Sequence, residues 1–433
     1  MTGLSSNQIS AIHVATEKLL PDAIAFLAEL VRIDTRNPPG NNYRKIVELI
    51  GNKLELFGYD IKYLLLTPEE TDELAPHGEK LERINVIGTL PPNTTSITGK
   101  TIHFNGHVDV VHEGDISKWT FDPFGGEIKG GKIYGRGVSD MKGGIAAQIY
   151  AIEVIKAAGL KLKGTVEQSA VVDEESTGNR NAGMGYFVEK GYITKEKTTA
   201  VIITEPLNSC NVCCGHRGAI WGDITFYGKS SHGSMPALGI NAIQNCTKFI
   251  TIATEELGAI HTTKRDPNVI PTEAQKSSLA FTVILGGTNT NSVPDICKVS
   301  FDRRLVPGES LDQARSEIHS ILQRLESVDS NFKYKYEERY AVTPVWVDPE
   351  QSLSRTFRTA IKTITGEEAG VVCSPGSDDQ RFVVQGAQLE ACIVYGPGNI
   401  KNVHCYDEEL SLDDLRIAIE VMAISAAEIV GFE

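Results

Sequence analysis

The sequence predicts a mixed-sheet α/β domain that is interrupted by an inserted, ferredoxin-like α+β domain. Three observations predict this fold class. Helical segments alternate with short β-branched segments through the first half of the chain. Polar residues collect where those strands end, as they do at the ligand-binding edge of an α/β sheet. From about residue 215 the order of segments changes to β-α-β-β-α-β, which is the order of a split ferredoxin-like unit.

The chain has 433 residues, more than one ordinary domain contains, so we expect two domains. We assign residues 1–214 and 339–433 to the α/β domain and residues 215–338 to the inserted domain.

In the α/β domain, helical periodicity predicts helices over residues 9–33, 42–59, 144–160 and 350–365. Pro21 should mark a break, or a second start, in the first of these helices. Strands are predicted over residues 83–90, 101–111, 164–176, 198–206 and 389–398. The Gly-rich stretch 112–144 is predicted to begin as a long loop and to lead into the third helix.

In the inserted domain, the same signals predict four strands and two helices. The strands are predicted over residues 217–229, 277–287, 295–306 and 331–340, and the helices over residues 240–257 and 310–327.

Composition limits the possible environments and partners. The chain is 41% hydrophobic and 23% charged, which is typical of a soluble globular protein. No apolar run approaches the roughly 20 residues that span a bilayer, and the first residues lack the regions of a signal peptide. The net charge of −14, without a long basic stretch, argues against nucleic acid as a partner. The eight scattered cysteines are typical of reduced thiols in a cytoplasmic protein.

One segment, "NGHVDVV", places two ionisable residues in an otherwise apolar strand. Period-two alternation would put His107 and Asp109 on the same strand face, where burial requires a partner. Other acids and one more histidine stand at strand or loop ends, namely Asp140, Glu174, Glu175, Glu205 and His404.

Each of these residues taken singly has an ordinary interpretation, since a loop-end acid is usually just solvated or a helix N-cap. Their joint placement at the ends of one sheet makes that reading much less plausible. Carboxylates together with two imidazoles suit one or two divalent ions, and this ligand set favours zinc, with cobalt or manganese as alternatives.

A run of motifs resembles the di-zinc aminoacylase and carboxypeptidase family, and in particular its acetylornithine deacetylase and succinyl-diaminopimelate desuccinylase members. The resemblance covers most of the chain. Its motifs, in chain order, are "GHVDVV", "WTFDPF", "GRGVSDMKGG", "DEESTG", "TEP", "SSHGSMPALGINAI", "GGTNTNSVPD", "DRRLVPGE" and "HCYDEE".

The resemblance implies two metal ions, each held by three side chains. Asp140 would bridge the ions, His107 and Glu205 would complete one site, and Glu175 and His404 would complete the other. The peptide bond between Asp140 and Met141 is expected to be cis.

Further roles are implied beside the metals. Glu174 would act as the general base, and Asp109 would hold His107 in the required tautomer, as a carboxylate behind a ligating histidine does. In the inserted domain, His232 would reach the active site of the other subunit and stabilise the oxyanion, although it could also be a simple turn histidine.

Substrate binding is assigned to Asn291 and to one of two arginines. Arg304 could clamp a substrate carboxylate with two parallel hydrogen bonds, or it could form a surface ion pair with Asp302 or Glu309, which would contribute little. Arg381, in "SPGSDDQRF", is a second candidate from the main domain. That segment is longer than the usual pattern, so the roles of Ser377, Asp378 and Asp379 stay open.

The function expected from these residues is that of a cytoplasmic, metal-dependent amidohydrolase. It would remove an acyl group from an N-acyl amino acid by metal-activated water with a Glu general base. The inserted domain would serve as lid and dimerisation domain of a homodimer. Alternatives within the family are a metallo-dipeptidase, a carboxypeptidase or an N-carbamoyl amino acid hydrolase, and an alternative of another class is a non-catalytic binding relative.

Overall fold

The computed structural model describes residues 3–76, 78–175 and 180–433. By internal packing the chain forms two compact units. Unit 1 comprises Met1–Cys214, Val347–Val372 and Asp378–Glu433, and unit 2 comprises Gly215–Trp346 and Cys373–Ser377. None of the helices within the described residues has both the length and the apolar character that crossing a membrane requires.

The helices are α1 (Ser6–Val31), α2 (Tyr43–Leu56), α3 (Pro68–Leu74), α4 (Gly143–Ala157), α5 (Met184–Glu189), α6 (Ala242–Thr263), α7 (Leu311–Val328), α8 (Ser352–Thr365) and α9 (Leu412–Val430).

The strands are β1 (Asp60–Leu65), β2 (Ile84–Leu90), β3 (Thr101–His107), β4 (Glu127–Lys129), β5 (Lys132–Tyr134), β6 (Thr165–Val171), β7 (Ala200–Ile203), β8 (Asn211–His216), β9 (Gly218–Tyr227), β10 (Ser231–His232), β11 (Ser278–Gly286), β12 (Ser292–Val293), β13 (Ile296–Leu305), β14 (Lys333–Val342), β15 (Val345–Trp346), β16 (Gly370–Ser374), β17 (Cys392–Val394) and β18 (Glu409–Ser411).

The main sheet of unit 1 is mixed, which confirms the predicted fold class. Its strands run in the order β1-β2-β6-β3-β7-β17-β8. The three neighbours β6, β3 and β7 are parallel, as is β17 to β7, whereas β1, β2 and β6 pair antiparallel. A small antiparallel sheet has the strand order β18-β5-β4. Its strands β4 and β5 lie within the stretch predicted as a loop, and β18 comes from the last part of the chain.

The carboxyl ends of β6, β3 and β7 meet at one edge of this sheet. His107 pairs with Val171, and Asn105 pairs with Ile203, so the three strands end within two residue steps of one another. Side chains carried just beyond these ends are therefore neighbours in space, as expected for an α/β sheet.

The predicted strand over residues 101–111 is too long. The strand β3 ends at His107, and Asp109 lies beyond it, so the two side chains do not share a strand face. The reason is a change of backbone partner. The N–H of Val110 donates to the carbonyl of Thr35, outside the sheet.

The predicted break at Pro21 is also wrong, because α1 runs through it without interruption. A capping box between Ser5 and Gln8 starts the helix. Buried residues such as Ile12 and Phe26 stand on both sides of Pro21 and form one continuous apolar stripe. Packing of that stripe outweighs the one backbone hydrogen bond that proline cannot donate.

Unit 2 contains the predicted β-α-β-β-α-β unit, formed by β9, α6, β11, β13, α7 and β14. Its strands form an antiparallel sheet in the order β11-β13-β9-β14, which is the ferredoxin-like arrangement. Both helices pack an apolar stripe on one face of this sheet, where Phe226, Phe249 and Phe301 lie in one buried cluster.

Candidate metal centre

The first cluster of candidate ligands stands where β3, β7 and α4 approach one another. His107 ends β3, Glu205 follows β7, and Asp140 lies in the turn before α4. The Nε2 atom of His107 is 3.1 Å from Asp140 Oδ1 and 3.2 Å from Glu205 Oε1. The ligand atoms of all three residues lie within 4.8 Å of one another, as a single ion requires.

The second cluster shares Asp140 with the first. His404 Nε2 is 3.2 Å from Asp140 Oδ2 and 3.1 Å from Glu175 Oε1. The two oxygens of Asp140 therefore face different histidines, which is the arrangement that a bridging carboxylate requires. The Asp140–Met141 peptide is cis, as expected.

The donor set fits a divalent cation. His107 Nδ1 lies 2.9 Å from the backbone carbonyl of Asp109. A carbonyl only accepts hydrogen bonds, so Nδ1 carries the proton, and in a neutral ring Nε2 presents its lone pair. That lone pair faces the carboxylate oxygens of Asp140 and Glu205, which only accept when ionised. A cation between these atoms resolves the conflict, and nitrogen with carboxylate oxygen is a usual zinc ligand set.

Electrostatics of the buried carboxylates point the same way. Burial raises the pKa of Glu205 well above its usual value, and the charge of Asp140 adds to the increase. Burial alone would lower the pKa of His107, but the charges of Glu205 and Asp140 raise it well above its usual value. Against the effect of burial, Asp140 and Glu175 raise the pKa of His404 to about 11. Excess negative charge of this kind favours a bound cation.

Asp109 contacts a different part of the site from the part expected. Its carboxylate is 3.7 Å from His107 Nδ1, whereas its backbone carbonyl makes the close contact that fixes the tautomer. The same carboxylate accepts hydrogen bonds from the backbone N–H of Glu174 at 3.3 Å and of Glu175 at 3.0 Å. Asn37 Nδ2 donates to it at 2.9 Å. Asp109 thus anchors the segment that carries the candidate base.

The chain turns sharply at Asp173, whose φ of 63° lies in the left-handed region. Its buried carboxylate accepts hydrogen bonds from Arg83 Nε at 2.5 Å, Tyr43 OH at 2.9 Å and Asn37 Nδ2 at 3.1 Å. This turn interrupts the extended backbone before Glu174, so the alternation of side chains between two strand faces does not continue to Glu174. The remainder of the "DEESTG" motif, residues 176–178, lies outside the described residues.

Glu174 is half-buried beside both clusters. Burial raises the pKa of its carboxyl well above the usual value. The charge of His107 opposes this increase, and the charge of Glu205 adds to it. A carboxyl with a raised pKa can both accept and return a proton near neutral pH.

In unit 2 the structure brings His232 and Asn291 together. The strand β10 pairs with β12, and the N–H of Gly233 donates to the carbonyl of Asn291 at 2.7 Å. His232 is exposed, and the N–H of Ser234 donates to its Nδ1 at 3.1 Å. Because Nδ1 accepts, the neutral ring carries its proton on Nε2, which is then a hydrogen-bond donor.

The two candidate arginines lie in different units. Arg304, at the end of β13, donates from Nε to both carboxylate oxygens of Asp302, at 2.8 and 3.1 Å, and lies over the ring of Trp221. This is the ion pair that the sequence left open. Arg381, in unit 1, is buried and packs over the ring of Phe382.

The three residues whose roles the sequence left open, Ser377, Asp378 and Asp379, have different surroundings. Ser377 is hydrogen-bonded to the hydroxyl of Tyr340 in unit 2. Asp378 accepts from the N–H of Gln380 and so caps a turn. Asp379 accepts from Asn181 Nδ2 at 3.1 Å and Asn105 Nδ2 at 3.4 Å, which joins it to β3.

Sequence reasoning missed the buried partners Asn37, Tyr43 and Arg83. Each is distant in sequence from the motifs it supports, and nothing in its local pattern separates it from an ordinary surface or loop residue. A third cluster, His13, Glu17 and Glu420, lies on the helices α1 and α9. Arg416 supplies a counter-charge to Glu420 at 3.2 Å, so no ion is required there.

Comparison with known proteins adds a family match. Residues 103–428 match the profile of peptidase family M20/M25/M40. A probable succinyl-diaminopimelate desuccinylase of Staphylococcus aureus is 28% identical over 412 residues, covering 90% of this chain and 93% of the relative. A succinyl-diaminopimelate desuccinylase of Cupriavidus taiwanensis is 28% identical over 394 residues, covering 90% and 94%.

Among solved structures, a dipeptidase from Saccharomyces cerevisiae has a similar fold, with a TM-score of 0.73 and 16% identity. The match covers 98% of this chain and 99% of the dipeptidase.

Proposed function

Because the chain belongs to peptidase family M20/M25/M40 and is a metal-dependent hydrolase of amide bonds, we propose that it removes the acyl group from an N-acyl amino acid. The observation that carries this proposal is the pair of ligand clusters joined at Asp140. The carboxyl of Glu174 interacts electrostatically with His107 and Glu205 of one cluster and with Glu175 of the other.

Two divalent ions would be held by the five clustered residues. Zinc is favoured and cobalt is an alternative, because imidazole and carboxylate are ligands that both ions accept. When bound, the ions would polarise the scissile carbonyl and lower the pKa of a water molecule towards neutrality.

The chain's own residues would then move the proton and hold the geometry. Glu174 would accept a proton from the attacking water and return it to the leaving amine. Asp109 would keep the backbone of Glu174 and Glu175 in place through its two N–H contacts. The two neighbouring glutamates would in this way serve different purposes, one as base and one as ligand.

The substrate would be a succinylated amino acid, as the names of the two curated relatives suggest, or an acetylated one, as the motifs similar to those of acetylornithine deacetylases suggest. A second candidate is a dipeptidase or carboxypeptidase activity, which is favoured by the likeness to a yeast dipeptidase. An N-carbamoyl amino acid hydrolase is chemically similar. A non-catalytic binding protein would not need Glu174 beside a complete ligand set.

Recognition of the substrate carboxylate is assigned to Arg304 with Asn291, and Arg381 is the alternative. A guanidinium matches a carboxylate with two parallel hydrogen bonds. Arg304 contacts Asp302 through Nε alone, which donates to both carboxylate oxygens, so a forked contact with substrate would have to replace or rearrange that pair. Coupling this recognition to closure of the inserted domain would exclude water from the reaction.

The chain would act as a homodimer through unit 2. The strand β11 lies at the edge of its sheet, and Val283, Ile284 and Leu285 on it are exposed. An apolar edge strand of this kind favours symmetric pairing with a second copy. The exposed His232 would complete the site of the partner. All eight cysteines are reduced, and six of them are buried, which suits a cytoplasmic protein.

A single set of measurements tests the proposal. Metal analysis of the purified protein should give two ions per chain, chelation should abolish hydrolysis, and zinc or cobalt should restore it. A screen of N-acetyl, N-succinyl and N-carbamoyl amino acids, together with dipeptides, would then identify the substrate class. Full activity in a verified metal-free sample would refute the mechanism, and turnover of dipeptides alone would establish the second candidate.

A further inference from the structure

Three consecutive carboxylates follow His404 and tie its segment to three other stretches of unit 1. Asp407 accepts a hydrogen bond from the N–H of Thr120 at 2.7 Å. Glu409 accepts one from Lys132 Nζ at 2.5 Å. Glu408, between them, is fully buried and faces the turn that carries Asp140.

Both oxygens of Glu408 are occupied. The Oε1 atom accepts hydrogen bonds from the backbone N–H groups of Gly137, Ser139 and Asp140, at 3.1, 3.0 and 3.1 Å. The Oε2 atom accepts from Arg136 Nη1 at 2.7 Å. Three N–H groups that converge on one oxygen require the chain to curve around it, so this carboxylate determines the shape of the turn.

The turn has little freedom to take another shape. Gly137 has a φ of 84°, and a Cβ added to it would lie 2.5 Å from Val110. The hydroxyl of Ser139 donates to the carbonyl of Glu409 at 2.7 Å, which attaches the turn a second time to the segment that carries Glu408.

We infer that Glu408 is a positioning residue that fixes the shared ligand Asp140 relative to the ligand His404. The inference rests on the proposed metal centre. Asp140 and His404 are far apart in sequence, and Glu408 joins their segments through the backbone N–H of Asp140 itself. Since Asp140 belongs to both clusters, displacing its turn weakens both metal sites together. Carboxylates behind metal ligands typically contribute about 10- to 100-fold in metal affinity.

The test is a titration of metal-free protein with zinc against a chromophoric chelator, for wild type, Glu408→Ala and Glu408→Gln. Glu408→Ala should bind both ions about 10- to 100-fold more weakly. Glu408→Gln retains an acceptor oxygen for the three N–H groups, so it should recover part of the loss. Its amide cannot neutralise Arg136, so recovery should be incomplete. The absorption spectrum of the cobalt-loaded protein should change in Glu408→Ala because the ligand geometry changes.

The matched control is Glu309→Gln, in unit 2. Glu309 is a half-buried residue whose carboxylate likewise accepts from an arginine, Arg303 at 2.6 Å, and from a backbone N–H, that of Val306 at 2.8 Å. The control should lose stability while its zinc affinity and cobalt spectrum stay those of wild type.

Each result decides between defined alternatives. Wild-type affinity and spectrum in a folded Glu408→Ala would overturn the inference, as would an equal loss of affinity in the control. If Glu408→Ala does not fold, Glu408→Gln decides, and unchanged affinity in that variant overturns the inference. If wild type itself binds no metal, the proposed function fails.

Discussion

Asp109 Oδ2 accepts a hydrogen bond from the backbone N–H of Glu175 at 3.0 Å, and Oδ1 accepts one from Glu174 at 3.3 Å. One buried carboxylate therefore fixes the backbone of two neighbouring glutamates for which we propose different roles. The tautomer of His107 depends instead on the backbone carbonyl of Asp109.

This relationship predicts the effect of Asp109→Asn. The amide keeps one acceptor but turns an N–H group towards the donors of Glu174, Glu175 or Asn37, which disturbs the base. We expect kcat to fall by about 10- to 100-fold. His107 should keep its tautomer, because the backbone carbonyl is unchanged. Steady-state kinetics and metal analysis measure both effects, with Asp115→Asn in an exposed turn as control. Wild-type kcat in Asp109→Asn would contradict the proposed anchoring role.

The variant Glu174→Gln tests whether Glu174 acts as the base while Glu175 binds the metal. This change keeps the size of the side chain and removes the basic carboxylate, so kcat should fall by at least about 100-fold. The metal content should stay near that of wild type, whereas Glu175→Gln should lose metal from the cluster with His404. Metal analysis of both variants in parallel provides the comparison. Loss of metal from Glu174→Gln with retention in Glu175→Gln would show that the roles are reversed.

Subunit mixing tests His232. If His232 completes the site of the partner, inactive His232→Ala and inactive Glu174→Gln subunits should regain activity together, because one hybrid site carries both residues. A mixture of Glu174→Gln with Glu175→Gln is the negative control, since each hybrid site keeps one defect. Subunit exchange is verified by mass spectrometry before the assay. Absence of recovery in the first mixture would count against action between subunits.

Arg304→Ala tests recognition of the substrate carboxylate. We expect KM to rise and kcat/KM to fall by about 2 kcal/mol or more, the scale for breaking a desolvated charge pair. Arg304→Lys should recover only part of the lost kcat/KM, because an ammonium cannot form the forked contact.

The control for Arg304 is a substrate whose carboxylate is converted to an amide. Wild type should lose most of its efficiency on this substrate, and Arg304→Ala should barely distinguish it from the acid. A variant that still prefers the acid as strongly as wild type does would exclude Arg304 as the clamp, and Arg381→Ala would be measured next.

Glu317 should make the stability of unit 2 sensitive to acid. Burial raises the pKa of this carboxyl, but contacts with His261, Lys264 and Arg303 lower it to about 2, below its ordinary value of 4.5. A carboxylate with a lowered pKa stabilises the folded state fully above pH 4.5 and loses that contribution as the pH falls towards 2. Glu317→Gln should therefore destabilise unit 2 by about 1–3 kcal/mol at pH 7.

Urea unfolding at neutral and acidic pH measures this effect. The difference between wild type and Glu317→Gln should shrink as the pH falls, because wild type then loses the same charge. Glu326→Gln is the control on the same helix, since Glu326 pairs with Lys333 at the surface, where such a pair contributes little. A difference that does not depend on pH would contradict the assignment.

The sequence by itself determined most of the helices and strands and the candidate metal ligands. Apolar residues recur every second residue in a strand, and about every 3.6 residues in a helix, when one face is buried. These patterns therefore predicted β9, α7 and the ferredoxin-like order of unit 2. They missed α9, in which every residue from Ala418 to Ala427 is buried, because a helix without an exposed face has no apolar period. Motifs supplied the five candidate ligands, which the structure brings together.

Only the tertiary structure decided how those residues are held. The end of β3 at His107 depends on the hydrogen bond from Val110 to Thr35, outside the sheet, and the partners of Asp173 and Asp140 come from distant segments, as Arg83 and Glu408 show. A carboxylate accepts hydrogen bonds from any nearby donor, so its own neighbours in sequence do not specify its partner. The partner is determined when folding buries separate segments against one another, because a buried charge must then be paired or hydrogen-bonded.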